Sequence, residues 1–377
     1  MSGRLPDLAG DGGAVEATGA AAARIVAGTP GETSVGARPP LGAVVGIAVD
    51  GRRTTAARGV ADPAGAPMTP DLRHDLASVT KVLGTTVAVA TLVSRGELTF
   101  DTEVRALVPA FGGHPGTTVR HLLAHRAGLP AWQPLYLAPG VREDPWAVLD
   151  SLAPDGPLDA AYRYSDLGFL HLGRVVEAVA AEPLAGAVAE LALAPLGISG
   201  AGYLPGPDGT APGSRGDEAE RRMVATGDPY PVRWPADGFA WREHLLRGEP
   251  NDGNCWHAFG GTAGHAGLFA TVDELLTAGR ALAASVAGGG PLRPDVALEL
   301  VRPGPDPAQA LGLRRDGPWA WHPGYTGCAI GFLPGRDVVV AVATNRLLAD
   351  GPPVPTAALW REAVTAVDPD PTRRGAS

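Results

Sequence analysis

Strand patterns lie near both ends of the chain and are separated by more than 200 residues of mostly helical pattern. Near the beginning, the apolar run 42–49 is followed by Asp50-Gly51 and a second extended segment, 54–60. Asp-Gly is a strong signal for a two-residue turn, so these segments predict a β-hairpin. Near the end, the apolar segments 328–333 and 338–343 predict two more strands. We therefore expect one antiparallel sheet assembled from both ends of the chain, with a helical domain inserted between them.

Helical periodicity fills the middle of the chain. The longest candidate runs from Ser78 to Gly96, is apolar along its length and stops at a glycine. Further helices are predicted at 13–28, 119–124, 145–151, 166–181, 184–193, 272–284 and 357–367. Residues 197–257 are rich in Gly, Pro and Trp and read as long loops, and long ordered loops are frequently functional.

These patterns predict an α/β (α+β) fold: an antiparallel sheet flanked by helices, plus an inserted, mainly helical domain. The expected division is an N-terminal extension or helix at 1–38, a sheet domain from 39–72 and 258–377, and a helical domain at 73–257 that carries the loop region 197–257.

Charge and cysteine content narrow the partners and the compartment. The chain has 31 basic and 40 acidic residues, a net charge of −9 and no basic cluster. This balance argues against nucleic acid and anionic membrane and favours a small-molecule partner; the oligomeric state is left open. Two cysteines cannot form a disulfide framework, which is typical of a reducing compartment. The apolar run at 20–27 is broken by Arg24 and does not read as a signal peptide. No stretch reaches the roughly 20 apolar residues of a bilayer span. We expect a cytoplasmic protein.

Lysine usage singles out one position. The basic residues are 30 Arg and a single Lys, Lys81. An amine can lose its proton whereas a guanidinium effectively cannot. A single lysine in a chain that otherwise uses arginine is therefore a candidate base. The alternative is an accidental survivor on a solvated face.

Ser78-Val79-Thr80-Lys81 places a hydroxyl and this amine on one face of a helix, because residues three apart are neighbours there. We expect burial to lower the pKa of Lys81, so that the neutral amine accepts the Ser78 proton. The positive end of the helix favours an oxyanion next to the serine.

Two further segments carry candidate site residues. Tyr164 in Tyr164-Ser165-Asp166 could relay protons, and the alternative is a core aromatic. His322 opens the Gly-rich segment 322–327, whose backbone could approach a substrate and supply an oxyanion donor; the alternative is an ordinary strand entry.

Several common chemistries are missing from the sequence. There is no G-x-S-x-G elbow, H-E-x-x-H, C-x-x-C or Walker A segment. His121 and His125 have a spacing that could hold zinc, but no third ligand lies nearby in sequence, and packing or capping histidines are the favoured reading. No metal or cofactor is predicted.

Taken in order, the three segments resemble the S-x-x-K, Y-x-N and K/H-T-G motifs of the serine β-lactamase and penicillin-recognising superfamily. The chain is most similar to the class C-like branch, which includes family VIII carboxylesterases, D-aminopeptidases and D-alanyl carboxypeptidases. Supporting similarities cover 42–360 and lie at 119–125, 128–129, 195–197, 260–269 and 338–345.

The resemblance implies a β-lactamase/transpeptidase-like fold and roles for the matching positions. The implied catalytic side chains are Ser78 as nucleophile, Lys81 as its base, Tyr164 as proton relay and His322 facing the site from the edge strand. The oxyanion hole would use the backbone N–H groups of Ser78 and Tyr325. The residues expected to contact the substrate are Asp166, Gly324 and Trp321.

Two departures from the family pattern matter. Asp166 replaces the usual Asn, and a carboxylate beside Lys81 would raise the pKa of the amine. We expect Asp166 to cap the next helix instead or to have a milder role. Pro323 replaces Thr, and His322 replaces the Lys of true β-lactamases. We expect only weak β-lactamase activity.

The sequence therefore predicts a serine hydrolase that cleaves an ester, amide or peptide-like small molecule through an acyl-enzyme. One alternative is a muropeptide amidase of cell-wall recycling, suggested by 251–254 and 260–269; His265 would then line the pocket or be a buried, hydrogen-bonded histidine. The other is a non-catalytic binding member of the same fold.

Overall fold

A computed structural model describes residues 11–28 and 36–368. Within these ranges the strands are β1 Gly42–Val49, β2 Arg52–Gly59, β3 His74–Asp75, β4 Gly202–Tyr203, β5 Leu268–Ala270, β6 Arg314–Asp316, β7 Trp319–Pro323, β8 Ala329–Phe332 and β9 Val338–Thr344. The α-helices are α1 Asp11–Ala27, α2 Val87–Arg95, α3 Val104–Leu107, α4 Val119–Leu123, α5 Pro145–Asp150, α6 Asp166–Ala180, α7 Leu184–Val188, α8 Ala194–Leu196, α9 Glu218–Thr226, α10 Val272–Val286, α11 Pro294–Val301 and α12 Thr356–Val364.

The main sheet joins both ends of the chain, as the sequence predicts. Six strands of the described chain run antiparallel in the order β2-β1-β9-β8-β7-β6. The first hairpin turns at Asp50 and Gly51, both with positive φ, which is the backbone geometry that such a two-residue turn requires. β1 and β9 are almost wholly buried, which explains their uninterrupted apolar sequences.

Helices cover the two faces of this sheet. On one face α1 and α12 pack against side chains of β1, β7 and β9, with Trp360 at the centre. On the other face α10 packs against β1, β8 and β9 and continues into the core of the helical region. The fold prediction is confirmed. The division into domains stays a prediction, and its residues 1–10, 29–35 and 369–377 lie outside the described ranges.

A second, three-stranded sheet in the order β3-β5-β4 was not expected from the sequence. Its strands are only two or three residues long, too short for a periodic pattern. It matters because β3 ends three residues before Ser78, so this small sheet fixes the approach to the serine.

The long buried helix is present, with one irregularity. Residues 79–80 are α-helical, Lys81–Thr86 form a π-helical segment and α2 continues to Arg95, where Gly96 ends it in the left-handed conformation. π-helical segments occur frequently at functional sites. Here the segment begins at Lys81 itself.

In the described ranges, no single helix has the length and apolarity to cross a bilayer; one pair, 166–180 with 184–196, bent by 84°, meets the criterion by length and composition alone. Cys255 and Cys328 are both buried and free. The cytoplasmic location stays a prediction.

Candidate active site

Ser78 is presented by a tightly fixed turn between β3 and the long helix. Leu76 N–H donates to Leu268 O at 2.9 Å, and Ala77 N–H donates to an Asp75 carboxylate oxygen at 2.8 Å. Ala77 has φ +44°, a conformation that costs a residue with a side chain about 1–2 kcal/mol. Such strain persists only where the surroundings impose it, and here it turns Ser78 into the first turn of the helix.

The Lys81 side chain is fully buried and has three polar neighbours. Its Nζ lies 2.9 Å from Ser78 Oγ, 3.1 Å from the backbone oxygen of His265 and 2.7 Å from Asp166 Oδ1. The predicted contact between serine and lysine is confirmed. The catalytic roles of both residues stay predictions at this point.

The charge of Lys81 differs from the sequence expectation. Burial lowers the pKa of Lys81, but the adjacent Asp166 carboxylate, and then Tyr164, raise it more, and the net pKa lies above its ordinary value. The amine is therefore an ammonium in the resting site. The expectation of a lowered pKa was wrong because it counted burial without the ion pair.

The expectation that Asp166 caps helix α6 is also wrong. Ser165 is the N-cap, and its Oγ accepts the Gly168 N–H at 3.1 Å. This leaves the Asp166 side chain, 18% exposed, to face Lys81. Apart from that ion pair, Oδ1 has no partner in the described part of the chain.

Tyr164 and Asp166 are held in place by the preceding loop. Ser165 N–H donates to His125 Nδ1 at 3.0 Å, and Asp166 N–H donates to Ala131 O at 2.9 Å. The Tyr164 ring centre lies 5.1 Å from Lys81 Nζ. Burial raises the pKa of the Tyr164 hydroxyl, while its interactions with Lys81 and Ser78 lower it; the net pKa is above its ordinary value. Tyr164 is thus a neutral phenol beside both groups.

His322 lies on β7 with its ring centre 6.2 Å from that of Tyr164. Its Nδ1 is 2.8 Å from Pro323 O; a carbonyl only accepts, so Nδ1 carries the proton and Nε2 is left as an acceptor. Burial, then the charges of Arg314 and Lys81, hold the pKa of His322 well below its ordinary value. The imidazole is neutral.

The two backbone N–H groups that are predicted to form the oxyanion hole make no hydrogen bond within the described residues. The N–H groups of Ser78 and Tyr325 donate to no acceptor among residues 11–28 and 36–368. β7 ends at Pro323, so Tyr325 lies in the turn after the strand rather than in it, held by a hydrogen bond from Arg346 Nε to its carbonyl at 2.7 Å. The oxyanion hole stays a prediction.

Of the expected substrate contacts, Trp321 is wrong and Gly324 stays a prediction. Trp321 faces away from His322, as strand alternation requires, and stacks on Trp360 with ring centres 5.4 Å apart. Gly324 donates its N–H to Cys328 O at 2.6 Å, and a Cβ there would meet Leu76 O at 2.4 Å. This glycine lets the turn approach the serine segment closely and offers no N–H group to a substrate.

An Asp–His pair lies beneath Lys81. His265 Nε2 is 2.9 Å from Asp252 Oδ1, which also accepts the Cys255 N–H at 2.7 Å. His265 is buried, so the hydrogen-bonded alternative is confirmed, and its backbone oxygen supports Lys81. A Cβ at Gly264 would meet Phe169 O at 2.2 Å, so glycine is needed for this loop to reach the site.

Sequence reasoning missed two residues near Tyr164. The guanidinium carbon of Arg314, on β6, lies 5.7 Å from the Tyr164 ring centre. Tyr230, from the loop region 197–257, has its pKa raised by burial and then by Asp166 and Tyr164, and its ring centre is 6.1 Å from that of Trp132. A three-residue strand and a loop have no periodicity, so no sequence signal marked them.

The zinc alternative for His121 and His125 has no support. His121 Nδ1 accepts the Thr118 N–H at 3.1 Å in a capping box, and His125 Nδ1 accepts from Ser165. Over the described ranges, no group of three His, Cys, Asp or Glu side chains is placed to hold a metal ion.

Fold and site together define a β-lactamase-like serine hydrolase: a mixed sheet-and-helix architecture with S-x-x-K at the start of a buried helix. The chain belongs to the beta-lactamase family, whose family model matches residues 34–365.

Individual relatives agree with this class. The chain is 27% identical over 308 residues to the N-acetylmuramyl-L-alanine amidase of Bacillus subtilis (strain 168), covering 72% of this chain and 67% of the amidase. It is 35% identical over 203 residues to esterase EstB of Burkholderia gladioli, covering 47% of this chain and 48% of EstB. The chain thus spans about half the length of EstB. Among solved structures, the hydrolase EstCE1 shares the fold, with a TM-score of 0.68, 22% identity and coverage of 94% of this chain and 99% of EstCE1.

Proposed function

We propose that this chain hydrolyses an ester or amide bond of a small, peptide-like molecule through an acyl-enzyme on Ser78. The observation that carries the proposal is the position of Ser78 Oγ, 2.9 Å from the Nζ of a fully buried lysine at a helix N-terminus. A buried ammonium needs acceptors for its three protons, and here one of them is a serine hydroxyl that can pass its own proton to the same nitrogen.

The proton of Ser78 is taken up by the Lys81–Asp166 pair. One ammonium proton moves from Lys81 to Asp166, and the neutral amine then accepts the Ser78 proton as Oγ bonds to the substrate carbonyl carbon. A bound substrate displaces water from the partly exposed Asp166, which disfavours the ion pair relative to the neutral pair and helps this first transfer.

The remaining steps use the other groups of the site. The π electrons of the carbonyl group move onto its oxygen, and the N–H groups of Ser78 and Tyr325 stabilise this negative charge by donating hydrogen bonds. The bond to the leaving group then breaks, and the leaving group takes a proton from Tyr164, which regains one from Lys81. Water then attacks the acyl ester on Ser78 and gives a proton to the neutral amine of Lys81. Lys81 returns this proton to Ser78 Oγ as the acid leaves, and the proton held on Asp166 moves back to Lys81, which restores the resting charges.

The first test of this proposal is covalent labelling. Intact-mass spectrometry after treatment with a fluorophosphonate should show one adduct, on Ser78, and p-nitrophenyl butyrate should be hydrolysed. Ser78→Ala should abolish both. Labelling elsewhere, or turnover that survives the substitution, would instead support a non-catalytic binding role for this site.

The alignment with the amidase over 72% of this chain favours a second, narrower candidate, a muropeptide amidase. Segment 260–269, which suggests this alternative in the sequence, includes His265, whose backbone oxygen accepts a hydrogen bond from Lys81 Nζ. Release of L-alanine from N-acetylmuramyl-L-alanine, measured beside esters, D-amino-acid amides and nitrocefin, distinguishes it. We expect slow nitrocefin turnover, because Pro323 stands where the third family motif usually has Thr and so lacks the threonine hydroxyl.

A further inference from the structure

A cavity outside the active site lies between helix α4 and the segment 302–311. Its volume is about 330 Å³, which is the size of a small-molecule site, and none of the catalytic side chains of the proposed reaction lines it. Apolar groups form much of its wall: Ala124 at the end of α4, Pro303 and Pro305 of the segment, and Leu311. The cavity therefore suits a ligand with an apolar body.

Tyr162 connects this cavity to the active site. It lines the cavity, and its ring centre lies 5.7 Å from that of His125. The His125 ring centre lies 4.5 Å from that of Tyr164. One imidazole ring is therefore in contact with both a wall of the cavity and the proton relay of the proposed reaction.

The charged side chains that line the cavity balance one another. They are three arginines and three carboxylates: Arg120, Arg126, Arg302, Asp159, Glu299 and Asp306. Arg126 Nε lies 2.5 Å from Asp159 Oδ1, and Arg302 Nη1 lies 2.5 Å from Glu299 Oε1. The lining thus has no net charge, and a charged ligand would lose its hydration here without gaining a free counter-charge. An uncharged ligand is favoured.

Two hydrogen-bond donors of the lining have no acceptor in the described part of the chain. Tyr162 Oη is buried without a partner there, and burial raises the pKa of Tyr162 to about 12, so the hydroxyl keeps its proton. His121 Nδ1 accepts the Thr118 N–H at 3.1 Å, which leaves the imidazole proton on Nε2, for which those residues provide no partner either. A buried donor without an acceptor is unfavourable, and a ligand oxygen in the cavity would satisfy it.

We propose that this cavity binds an uncharged small molecule with an apolar body and a carbonyl oxygen, and that the oxygen accepts a hydrogen bond from Tyr162 Oη. A carbonyl oxygen has two lone pairs, so the same atom can accept the His121 Nε2 proton as well. The apolar walls stabilise the body of the ligand by removing it from water. This site is distinct from the one at Ser78, and it does not depend on the chain being a hydrolase.

The binding test compares two probes of the same shape, 2-acetylnaphthalene and 2-ethylnaphthalene, of which only the first has a carbonyl oxygen. Equilibrium dialysis against the full-length chain measures both dissociation constants. Tyr162→Phe should weaken binding of the ketone about 3- to 10-fold, the usual value of one neutral hydrogen bond, and leave binding of the hydrocarbon unchanged. Tyr203→Phe removes a phenol hydroxyl that lies outside the cavity and donates to Ala263 O, so both constants should stay at the wild-type value.

Three outcomes would overturn the assignment. The first is that neither probe binds up to its solubility limit. The second is that Tyr162→Phe keeps the wild-type affinity for the ketone, or loses affinity equally for both probes. The third is that 2-naphthoate binds more tightly than the ketone, which would make the cavity an anion site.

Kinetics separates this site from the active site. A saturating concentration of 2-acetylnaphthalene should leave KM for p-nitrophenyl butyrate unchanged, whereas a KM that rises in proportion to the ketone concentration would place the ketone at Ser78 and refute the inference. Dialysis with Ser78→Ala protein requires no turnover, so the inference can be tested even if the proposed function fails. The ketone should bind to this variant with the wild-type constant, and adding Tyr162→Phe should again weaken it.

Discussion

Lys81 Nζ and Asp166 Oδ1 lie 2.7 Å apart, and this ion pair sets the charge of the group that faces Ser78. Burial alone favours a neutral amine at Lys81, and the carboxylate reverses that preference. The nucleophile is therefore paired in the resting site with an ammonium, and a neutral base arises only after a proton moves to Asp166.

Replacing Asp166 by Asn should shift the pH dependence of the reaction. The substitution removes the main group that raises the pKa of Lys81 and leaves burial, which lowers it. In the variant no carboxylate can take up the ammonium proton, so Lys81 must lose it to solvent before it acts as a base. The kcat/KM should therefore rise with pH more steeply than in the wild type, whose base forms by proton transfer within the pair. The profile with p-nitrophenyl butyrate checks this, and an unchanged profile would exclude Lys81 as the titrating base.

Lys81→Arg should reduce kcat by about 10²- to 10⁴-fold, the usual contribution of a general base. A guanidinium can keep the ion pair with Asp166 but cannot give up its proton near neutral pH. Burst and steady-state rates with the same ester measure the loss. Since Ser78 stays in place, a variant with the wild-type rate would show that the proton leaves by another route.

Tyr164→Phe should affect substrates according to their leaving groups. An amide must receive a proton as its C–N bond breaks, so its hydrolysis should fall about 10²- to 10⁴-fold. A p-nitrophenyl ester releases a stable anion and should lose much less. Similar losses for a D-amino-acid amide and the ester would assign Tyr164 to activation of Ser78 instead.

The local part of the site could be predicted from the sequence. Ser78 and Lys81 are three residues apart on a helix, so their contact follows from helix geometry, and the hairpin at Asp50 follows from turn chemistry. The position of Trp321 also follows from the sequence, but it argues against the predicted substrate contact. Trp321 adjoins His322 on one strand, so strand alternation puts the two side chains on opposite faces of the sheet.

The rest of the site depends on tertiary contacts that no local pattern encodes. Both Ser165 and Asp166 are good N-cap residues. The hydrogen bonds that their N–H groups donate to the distant His125 and Ala131 decide between them. Arg314 comes from a three-residue strand that exists because β7 lies beside it. Partners that are distant along the chain set the charge of the site, and for this reason the direction of the Lys81 pKa shift does not follow from the sequence.

Removing the Asp252 carboxylate should change the orientation of the Lys81 side chain, although the carboxylate is not one of the groups hydrogen-bonded to Lys81. Asp252 holds the His265 ring, and the His265 carbonyl accepts from Lys81 Nζ at 3.1 Å. Asp252→Asn should therefore lower kcat several-fold, with KM for a short ester nearly unchanged, because the lysine is less well oriented. A change confined to the melting temperature would show that the pair is only structural.

Glu220, on α9 of the loop region, should make the stability of the chain depend on pH. Its carboxylate lies 2.5 Å from the Tyr136 hydroxyl and 2.5 Å from Gly253 N. Burial, and then the charge of Asp252, raise the pKa of Glu220 from an ordinary 4.5 to about 8. Between pH 4.5 and about 8, Glu220 is therefore protonated in the folded chain and ionised in the unfolded chain.

The sign of this effect follows from proton linkage. A pKa raised on folding contributes stability that is fully present below pH 4.5 and is lost as the pH rises through about 8. Glu220→Gln mimics the protonated acid, so its melting temperature should exceed that of the wild type increasingly from pH 5 to 8. About 1 kcal/mol moves the melting temperature of a chain this large by roughly 2 °C, which scanning calorimetry resolves. Glu218→Gln, at an exposed position of the same helix, should follow the wild-type curve, and a constant offset between Glu220→Gln and wild type would mean that Glu220 is already ionised in the folded chain.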